Sequence, residues 1–279
     1  MGDTAMTDEG RVLSDLDFTR PNVARVYDAF LGGKDNFAVD REFVERTLRL
    51  MPDAARGAKT SRAFLRRVVR YLVVEAGIRQ FIDIGSGLPT QGNVHQVGQE
   101  FDPSARVVYV DNDPMVGVHG QALLDGGANT AFVTADVRDP GGILGDAKLG
   151  ELIDFNEPVG ILLVAILHHI KDEEDPAGIV AELRDALPKG SFLVIASFRM
   201  PGSDHPEVAA QTAAVEKFFN EKLGTGRWRD QEEIRAWFGD WELVEPGLVP
   251  VPEWRPDMPV PARKDQTYYG YVGGVAGKN

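Results

Sequence analysis

The stretch that decides the fold is Phe81-Ile82-Asp83-Ile84-Gly85-Ser86-Gly87-Leu88-Pro89-Thr90. Its first four residues predict a short buried strand, and Gly85 and Gly87 predict the sharp turn that ends it. Glycine suits such a turn because its missing Cβ permits unusual φ angles and lets a ligand approach the backbone. A strand, a glycine turn and then a helix is the order in which α/β folds bind nucleotides, although a lone Gly-x-Gly also occurs in ordinary tight turns.

From residue 79 onward, short apolar runs alternate with helical segments. The predicted strands are Phe81–Ile84, Arg106–Val110, Thr130–Thr134, Val159–Ile166 and Ser191–Ser197. The predicted helices between them are Gln91–Phe101, Pro114–Leu124, Pro140–Asp146 and Pro176–Leu187. This alternation predicts an α/β fold with a mostly parallel central sheet and helices on both faces. Such sheets bind ligands beyond the carboxyl ends of their strands, so the residues that end each strand form the candidate site.

Acidic residues end the second and third predicted strands. Asp111 lies at a distance from the glycine turn that suits a carboxylate binding both ribose hydroxyls. The alternative is that Asp111 only caps the next helix, a role that Asn112 and Asp113 could also fill. Asp136 could accept a hydrogen bond from an exocyclic amine while Val137 packs on a purine ring. The alternative for Asp136 is again a helix N-cap.

Three helices are predicted ahead of the first strand, over residues 18–78, and we interpret them as a helical lid. They begin near Thr19 to Pro21, at Asp40 and at about Ala58. A polar loop between glycines and a helix can move during turnover, which indicates where a lid would close. The candidate lid and substrate residues are Tyr27, Lys34, Asp35, Asn36 and Phe37. The alternative is a helix connection whose aromatic residues belong to the core, and residues 1–17 predict a flexible tail.

After Phe198 the alternation loosens. Helices are predicted over Pro206–Leu223 and Asp230–Phe238, and strands over Trp241–Val244 and Thr267–Val275. The proline-rich segment from residue 246 to residue 261 predicts a surface loop. We interpret about 199–266 as insertions into the 79–279 domain, with Trp228, Trp237, Trp241 and Trp254 either facing a ligand or packing in the core.

Composition excludes several classes of function. The chain has 279 residues, a formal net charge of −13 and no cysteine. Lack of cysteine excludes disulfides, thiolate nucleophiles and cysteine-based zinc sites, and no metal site is predicted. The negative charge argues against nucleic acid or an anionic membrane as a partner. Without a membrane-spanning run or a secretory leader we expect a cytoplasmic protein, and nothing indicates its oligomeric state.

The strand ends, taken together, resemble a known order of motifs. Asp-x-Gly-x-Gly from Asp83, then Asp111, then Ala135-Asp136 is similar to the nucleotide-binding order of class I S-adenosylmethionine-dependent methyltransferases. Leu167-His168-His169-Ile170 resembles the end of their fourth strand, and Leu187-Pro188-Lys189-Gly190-Ser191-Phe192-Leu193 resembles the turn into their fifth. The matching core covers about residues 79–200.

The first fifty residues carry a narrower resemblance. Arg20-Pro21-Asn22-Val23-Ala24-Arg25-Val26-Tyr27-Asp28, then Leu31-Gly32-Gly33-Lys34-Asp35-Asn36-Phe37 and Asp40-Arg41, is similar to an actinobacterial S-adenosyl methyltransferase family formerly classed as a domain of unknown function. This resemblance extends along nearly the whole chain. It implies a Rossmann-like class I methyltransferase fold, S-adenosylmethionine as cofactor and methyl transfer to an unidentified acceptor. The acidic composition favours a small-molecule acceptor.

The resemblance also implies roles for individual residues. The cofactor-binding residues would be Asp83, Gly85, Ser86, Gly87, Asp111, Asn112, Asp136, Val137, Ala165 and Leu167. Asp83 would bind the ammonium group directly or through water, while Ala165 and Leu167 would line the floor of the pocket. His168 and His169 are candidate general bases for an acceptor that loses a proton. The alternative is that one of these histidines only packs beneath the pocket.

Two other functions fit parts of the sequence. An NAD-dependent oxidoreductase would carry a third glycine where this chain has Thr90, preceded by Pro89, so its fingerprint fails. A sensor or accessory protein could bind S-adenosylmethionine or its demethylated product without catalysis. No residue excludes that reading, because methyl transfer can proceed without a dedicated catalytic group.

Overall fold

The computed structural model describes residues 17–89, 92–124, 127–260 and 264–279. Within these ranges the strands form one sheet in the order β3-β2-β1-β4-β5-β8-β6, and β7 also pairs with β8. The strands are β1 (Gln80–Ile84), β2 (Arg106–Asp111), β3 (Thr130–Thr134), β4 (Gly160–Val164), β5 (Phe192–Phe198), β6 (Glu242–Leu243), β7 (Val249–Pro250) and β8 (Tyr271–Gly277).

The predicted mostly parallel sheet is confirmed. Strands β1 to β5 run parallel to one another, whereas β8 runs antiparallel to β5. Each residue of β1 is buried, because both faces of the sheet are covered. Ile82 and Ile84 pack into the apolar cluster on one face, and Phe81 packs into the cluster on the other. The carboxyl ends of these parallel strands therefore meet at one edge of the sheet.

Helices precede, follow and separate the strands. They are α1 (Val23–Leu31), α2 (Ala38–Leu50), α3 (Ala54–Val74), α4 (Val94–Phe101), α5 (Pro114–Leu124), α6 (Pro140–Leu144), α7 (Ala147–Leu152), α8 (Pro176–Asp185), α9 (Pro206–Leu223), α10 (Gln231–Ala236) and α11 (Gln266–Gly270). The first helix begins later than predicted, because Asn22 is its N-cap and accepts a hydrogen bond from the Arg25 N–H. None of the helices in the described ranges combines the length and the apolar character that a membrane crossing needs.

Two predicted strands were wrong in their bounds. Strand β4 ends at Val164 and not at residue 166, because Ala165 takes a positive φ of 65° and bends the chain into the short 3-10 helix Leu167–His169. The strand predicted from residue 267 begins at Tyr271, because the Asp265 carboxylate caps a helical turn over α11.

The proline-rich segment is more ordered than the predicted surface loop. It includes β7 and a 3-10 turn, and the Trp254 side chain is completely buried. The predicted tail up to residue 16, together with Thr90 and Gln91, lies outside the described residues.

Helices α1 and α2 are joined by a buried network centred on Asp40. Its carboxylate accepts hydrogen bonds from the Asn22 N–H at 3.0 Å, the Phe37 N–H at 2.9 Å and the Arg25 Nε at 2.9 Å. The Arg25 and Asp40 side chains are 3% and 0% exposed. The Asn22 carboxamide then donates to Asp113, just beyond β2, at 2.6 Å. These bonds attach the N-terminal helices to the carboxyl edge of the sheet.

We expect Asp40→Ala to lower the free energy of unfolding by about 3–5 kcal/mol, because it leaves the buried Arg25 charge uncompensated. The matched control is Glu100→Ala, which removes a carboxylate from the ion pair with Arg66, whose two side chains are each 51% exposed. That change should cost about 0–1 kcal/mol. Urea denaturation followed by circular dichroism measures both. Equal losses in the two variants would contradict the role of the buried pair.

Candidate functional site

A cavity of about 310 Å³ lies between the N-terminal helices and the carboxyl edge of the sheet. The side chains that line it are polar in one part and apolar in the other. One part, the polar end, includes Asp83, Asp111, Asn112 and Asp136. The other, the apolar compartment, includes Phe30, Met51, Phe198, Phe219 and Trp228. Such a pocket, with a few polar groups and a larger apolar wall, is typical of a small-molecule site.

The turn after β1 forms the wall of the polar end. Gly85 and Gly87 have φ angles of 71° and 66°, which residues with a Cβ rarely adopt. A Cβ on Gly85 would also lie 2.6 Å from the Ile166 side chain. The Gly85 N–H donates to the Val110 carbonyl at 2.8 Å, so β2 holds the turn in place.

Asp111 links this turn to the end of β2. Its Oδ2 accepts the Gly87 N–H at 2.8 Å, and its Oδ1 accepts the Asp113 N–H at 3.0 Å. Burial raises the pKa of Asp111 above its ordinary value. Each carboxylate oxygen has a second lone pair, so Asp111 can hold the turn and also accept hydrogen bonds from a ligand. The predicted ligand role and a structural role are therefore compatible in one residue.

Asp136 is held in a different way at the end of β3. Burial opposes its ionisation, but hydrogen bonds from the Arg138 N–H and the Asn112 carboxamide lower its pKa below the ordinary value. The Asn112 Nδ2 lies 2.8 Å from Asp136 Oδ2. Val137 lines the cavity beside this carboxylate. The end of β3 therefore offers an ionised acceptor beside an apolar surface.

Asp83 is the buried carboxylate at the centre of the site, with only 6% of its surface exposed. Burial raises its pKa to about 7, an effect that the Arg62 charge opposes and the Asp111 charge reinforces. The side chains of Tyr27 and Tyr109 interact electrostatically with it as well. A carboxyl group with this pKa changes charge near neutral pH, which is typical of functional sites.

The two histidines line the cavity but differ in their contacts. The His168 ring stacks on Phe198 with 3.5 Å between centroids, and its Nδ1 accepts the Phe198 N–H at 3.4 Å. Burial holds the pKa of His168 well below its usual range. His169 is half-buried, and burial together with Arg138 lowers its pKa to about 4. Among the described residues its Nδ1 has no hydrogen-bond partner.

Several hydroxyl groups of the cavity lining are bonded to the protein. The Tyr271 hydroxyl lies 2.9 Å from Ser61 Oγ, and the Tyr27 hydroxyl donates to the Ala58 carbonyl at 3.3 Å. Thr47 donates its hydroxyl hydrogen to a carbonyl of its own helix at 3.0 Å. The compartment therefore presents mainly carbon surface to a ligand.

Not all of the predicted residues line the cavity. Those that do are Tyr27, Asp83, Gly85, Ser86, Gly87, Asp111, Asn112, Asp136, Val137, Ala165, His168 and His169. Leu167 lies in the core beneath the cavity, and its neighbour Ile166 lines it instead. Of the tryptophans, Trp228 lines the cavity. Trp237 and Trp241 pack in the core on one side of the sheet, and Trp254 in the core on the other.

The loop from Lys34 to Phe37 lies outside the cavity lining in the described part of the chain. The Asn36 carboxamide donates to Asp28 at 2.8 Å, and the Asp35 N–H donates to the same carboxylate oxygen at 2.9 Å. Arg41 in turn donates to the Asn36 side-chain oxygen at 3.0 Å. The Asn36 side chain is thus held by Asp28 of α1 and Arg41 of α2.

Several residues of the cavity lining were not predicted from the sequence. Asn22, Arg62, Ile166 and Phe198 line the cavity, although none of them was a candidate site residue. Arg62 begins a run of arginines, Arg62, Arg66, Arg67 and Arg70, a pattern that is more typical of a solvated helix face. Two of these residues carried a usable signal, because Ile166 ends a predicted strand and Phe198 directly follows one, as Asp111 does.

Comparisons with known proteins agree with this geometry. The sequence matches the S-adenosyl methyltransferase family over residues 9–279. A proposed methyltransferase from Thermobifida fusca is similar at 46% identity over 94% of this chain and 96% of that one, with a TM-score of 0.88. A DUF574 family protein from Streptomyces avermitilis is 36% identical over 93% and 98% of the two chains, with a TM-score of 0.87.

More distant structures share the fold alone. A S-adenosylmethionine-dependent methyltransferase from Anabaena variabilis is 16% identical over 95% of this chain and 99% of that one, with a TM-score of 0.51. The search of curated proteins found no match. The predicted class I fold is confirmed, and the family match favours methyl transfer over the oxidoreductase alternative.

Proposed function

Since the chain belongs to the S-adenosyl methyltransferase family and is therefore an S-adenosylmethionine-dependent methyltransferase, we propose that the polar end of the cavity binds the cofactor and the apolar compartment binds a small-molecule acceptor. The observation that carries the proposal is that one cavity is lined both by the polar strand ends and by side chains of a single apolar cluster. The net charge of −13 supports a small molecule over nucleic acid as the acceptor. A cytoplasmic location stays a prediction from the sequence.

The chemistry of the polar end fits the cofactor. Ser86 Oγ is buried beside the glycine turn and has no hydrogen-bond partner among the described residues, so a bound polar group would satisfy it. A Cβ on Gly87 would meet nothing within 4 Å, which leaves that side of the turn open. In this proposal Asp83 binds the ammonium group, Asp111 the ribose hydroxyls, and Asp136 with Val137 the adenine.

Methyl transfer from this cofactor then requires few catalytic side chains. When bound, S-adenosylmethionine supplies an electrophilic methyl group on a sulfonium, which is a good leaving group. The residues of the cavity hold the acceptor in line with that methyl group and exclude water. Helices α1 to α3, which cover the strand ends, act as the lid in this proposal. Tyr27 contributes to its inner surface, and the loop from Lys34 to Phe37 supports it from outside.

The apolar compartment favours an acceptor with an apolar or aromatic body. The side chains of Phe198 and Trp228 stack with 4.3 Å between centroids, and Phe219 and Met51 complete the wall. Burial of apolar acceptor surface here contributes about 25 cal/mol per Å². A charged acceptor would find no counter-charge among Phe30, Met51, Phe198, Phe219 and Trp228.

We assign His169 as the group that takes a proton from a hydroxyl acceptor. The ring is neutral at pH 7, because its pKa is lowered to about 4. General bases work best with a pKa near the working pH, so this ring accepts the proton from an acceptor oxygen that becomes strongly acidic as it gains the methyl group. His168 instead packs beneath the site, because its Nδ1 already accepts the Phe198 N–H.

Calorimetric titration should detect binding of S-adenosylmethionine and its demethylated product but no binding of NAD. Asp111→Asn should weaken both affinities by about tenfold or more, because a charge-assisted hydrogen bond is worth about 1.5–3 kcal/mol. Asp102→Asn removes a carboxylate from the far end of α4, outside the cavity, and serves as the control. Binding of NAD alone, or full affinity in Asp111→Asn, would contradict the assignment.

Cofactor affinity should fall as the pH is lowered from 7 to 5. The pKa of Asp83 is about 7 in the free protein, so acidification protonates the carboxyl group that would pair with the ammonium. The dissociation constant should rise by up to about tenfold per pH unit below the pKa. Asp83→Asn should bind more weakly at pH 8 and lose most of this dependence. An equally steep profile in Asp83→Asn would disprove the pairing.

His169→Gln should lower kcat by about 10²- to 10⁴-fold with hydroxylated aromatic acceptors, while the affinity for the demethylated product stays unchanged. Release of that product measures turnover. His205→Gln, a histidine outside the cavity lining in the described ranges, is the control and should keep full activity. Unchanged kcat in His169→Gln would remove the proposed proton acceptor.

A further inference from the structure

Four consecutive carbonyls of the histidine loop are held by one short segment. The segment of residues 225–229 follows α9 and donates a hydrogen bond to each carbonyl from residue 167 to residue 170. The Thr225 hydroxyl donates to the His169 carbonyl at 2.7 Å, and the Arg227 N–H donates to the His168 carbonyl at 2.8 Å. The guanidinium of Arg229 donates to the remaining two.

Arg229 is the centre of this segment. Its Nη1 donates to the Leu167 carbonyl at 3.2 Å and its Nη2 to the Ile170 carbonyl at 2.8 Å. The carboxylates of Asp172 and Glu233 lie 2.7 and 2.8 Å from the same guanidinium, whose side chain is 0% exposed. A planar fork with five donors can make these contacts together, whereas a lysine ammonium cannot.

The same segment forms part of the acceptor wall. The Trp228 side chain lines the apolar compartment and stacks on Phe198, which stacks on His168. Glu216 of α9 accepts hydrogen bonds from the Trp228 N–H at 3.3 Å and from Arg227 Nη1 at 3.2 Å. Trp228 of the apolar wall and the residues that hold the histidine loop are therefore adjacent in one strip of chain, residues 225–229.

His169 depends on this strip for its orientation. Its Nδ1 has no hydrogen-bond partner among the described residues, so no second side chain fixes that side of the ring. The backbone that carries it leaves β4 through Ala165, at a φ of 65°, and is irregular from there. The carbonyl contacts from residues 225–229 and the local 3-10 turn hold the backbone that carries the imidazole, whose ring centroid lies 4.5 Å from that of His168.

We propose that Arg229 and Thr225 are positioning residues, which hold the backbone of the histidine loop so that the His169 ring faces the acceptor. This inference rests on the proposed role of His169 in proton transfer. It assigns to the segment after α9 a second task besides shaping the acceptor wall. Thr225 also lines the cavity, but both residues act on His169 through the loop carbonyls.

The test is NMR of the intact protein with isotope-labelled histidine rings. The five histidines give five ring signals, which single His→Gln variants assign. Thr225→Val removes one donor and keeps the shape of the side chain, so we expect the His169 signal to shift or broaden while the His95 and His119 signals stay fixed. Arg229→Lys should broaden the His169 signal further or abolish it.

Two controls remove similar bonds elsewhere. Arg67→Lys breaks the arginine contacts to the Val251 and Trp254 carbonyls, and Thr212→Val breaks a threonine bond to the Val208 carbonyl. Both should leave the His169 signal unchanged. If Arg229→Lys fails to fold, Thr225→Val decides the matter by itself.

The outcomes separate this inference from the function on which it rests. An unchanged His169 signal in folded Thr225→Val, or an equal change in the controls, overturns the positioning role whatever the activity. A displaced signal supports positioning. If His169→Gln also keeps full turnover, the strip still positions the ring but the ring is not the proton acceptor.

Discussion

The site depends on the parallel pairing of β1 with β2. This pairing places the glycine turn beside the end of the neighbouring strand, where the Val110 carbonyl and the Asp111 carboxylate accept the N–H groups of Gly85 and Gly87. The turn is therefore rigid before any ligand arrives, and the polar groups at this edge need little rearrangement on binding. Preorganisation of this kind saves the conformational entropy that a mobile loop would lose.

Two attachments complete the cavity above this edge. The Asn22–Asp113 hydrogen bond joins the N-terminal helices to the end of β2, and the buried Arg25–Asp40 pair joins α1 to α2. The apolar cluster of α1 and α2 also packs on α9 through Phe218. The polar end thus belongs to the sheet, whereas the apolar compartment is built largely from helices. That division explains how one fold can keep its cofactor and change its acceptor.

The sequence predicts the polar end well and the acceptor side poorly, for a physical reason. Parallel strands bring their carboxyl ends together, so Asp83, Asp111 and Asp136 could be placed without knowing any side-chain contact. Beyond a strand end, the sheet topology no longer determines where a side chain lies. The positive φ of Ala165 turns Leu167 into the core, a change that no residue pattern signals. The use of Asn36 as a partner of Asp28 is equally a product of tertiary packing.

The central claim is that one cavity holds the cofactor at its polar end and the acceptor in its apolar compartment. A crystal structure of the complex with S-adenosylhomocysteine tests it most directly. We expect the amino acid part beside Asp83 and the glycine turn, the ribose at Asp111, and the sulfur facing the compartment that contains His169 and Trp228. Adenine stacked within that compartment, or a product bound outside the cavity, would contradict it.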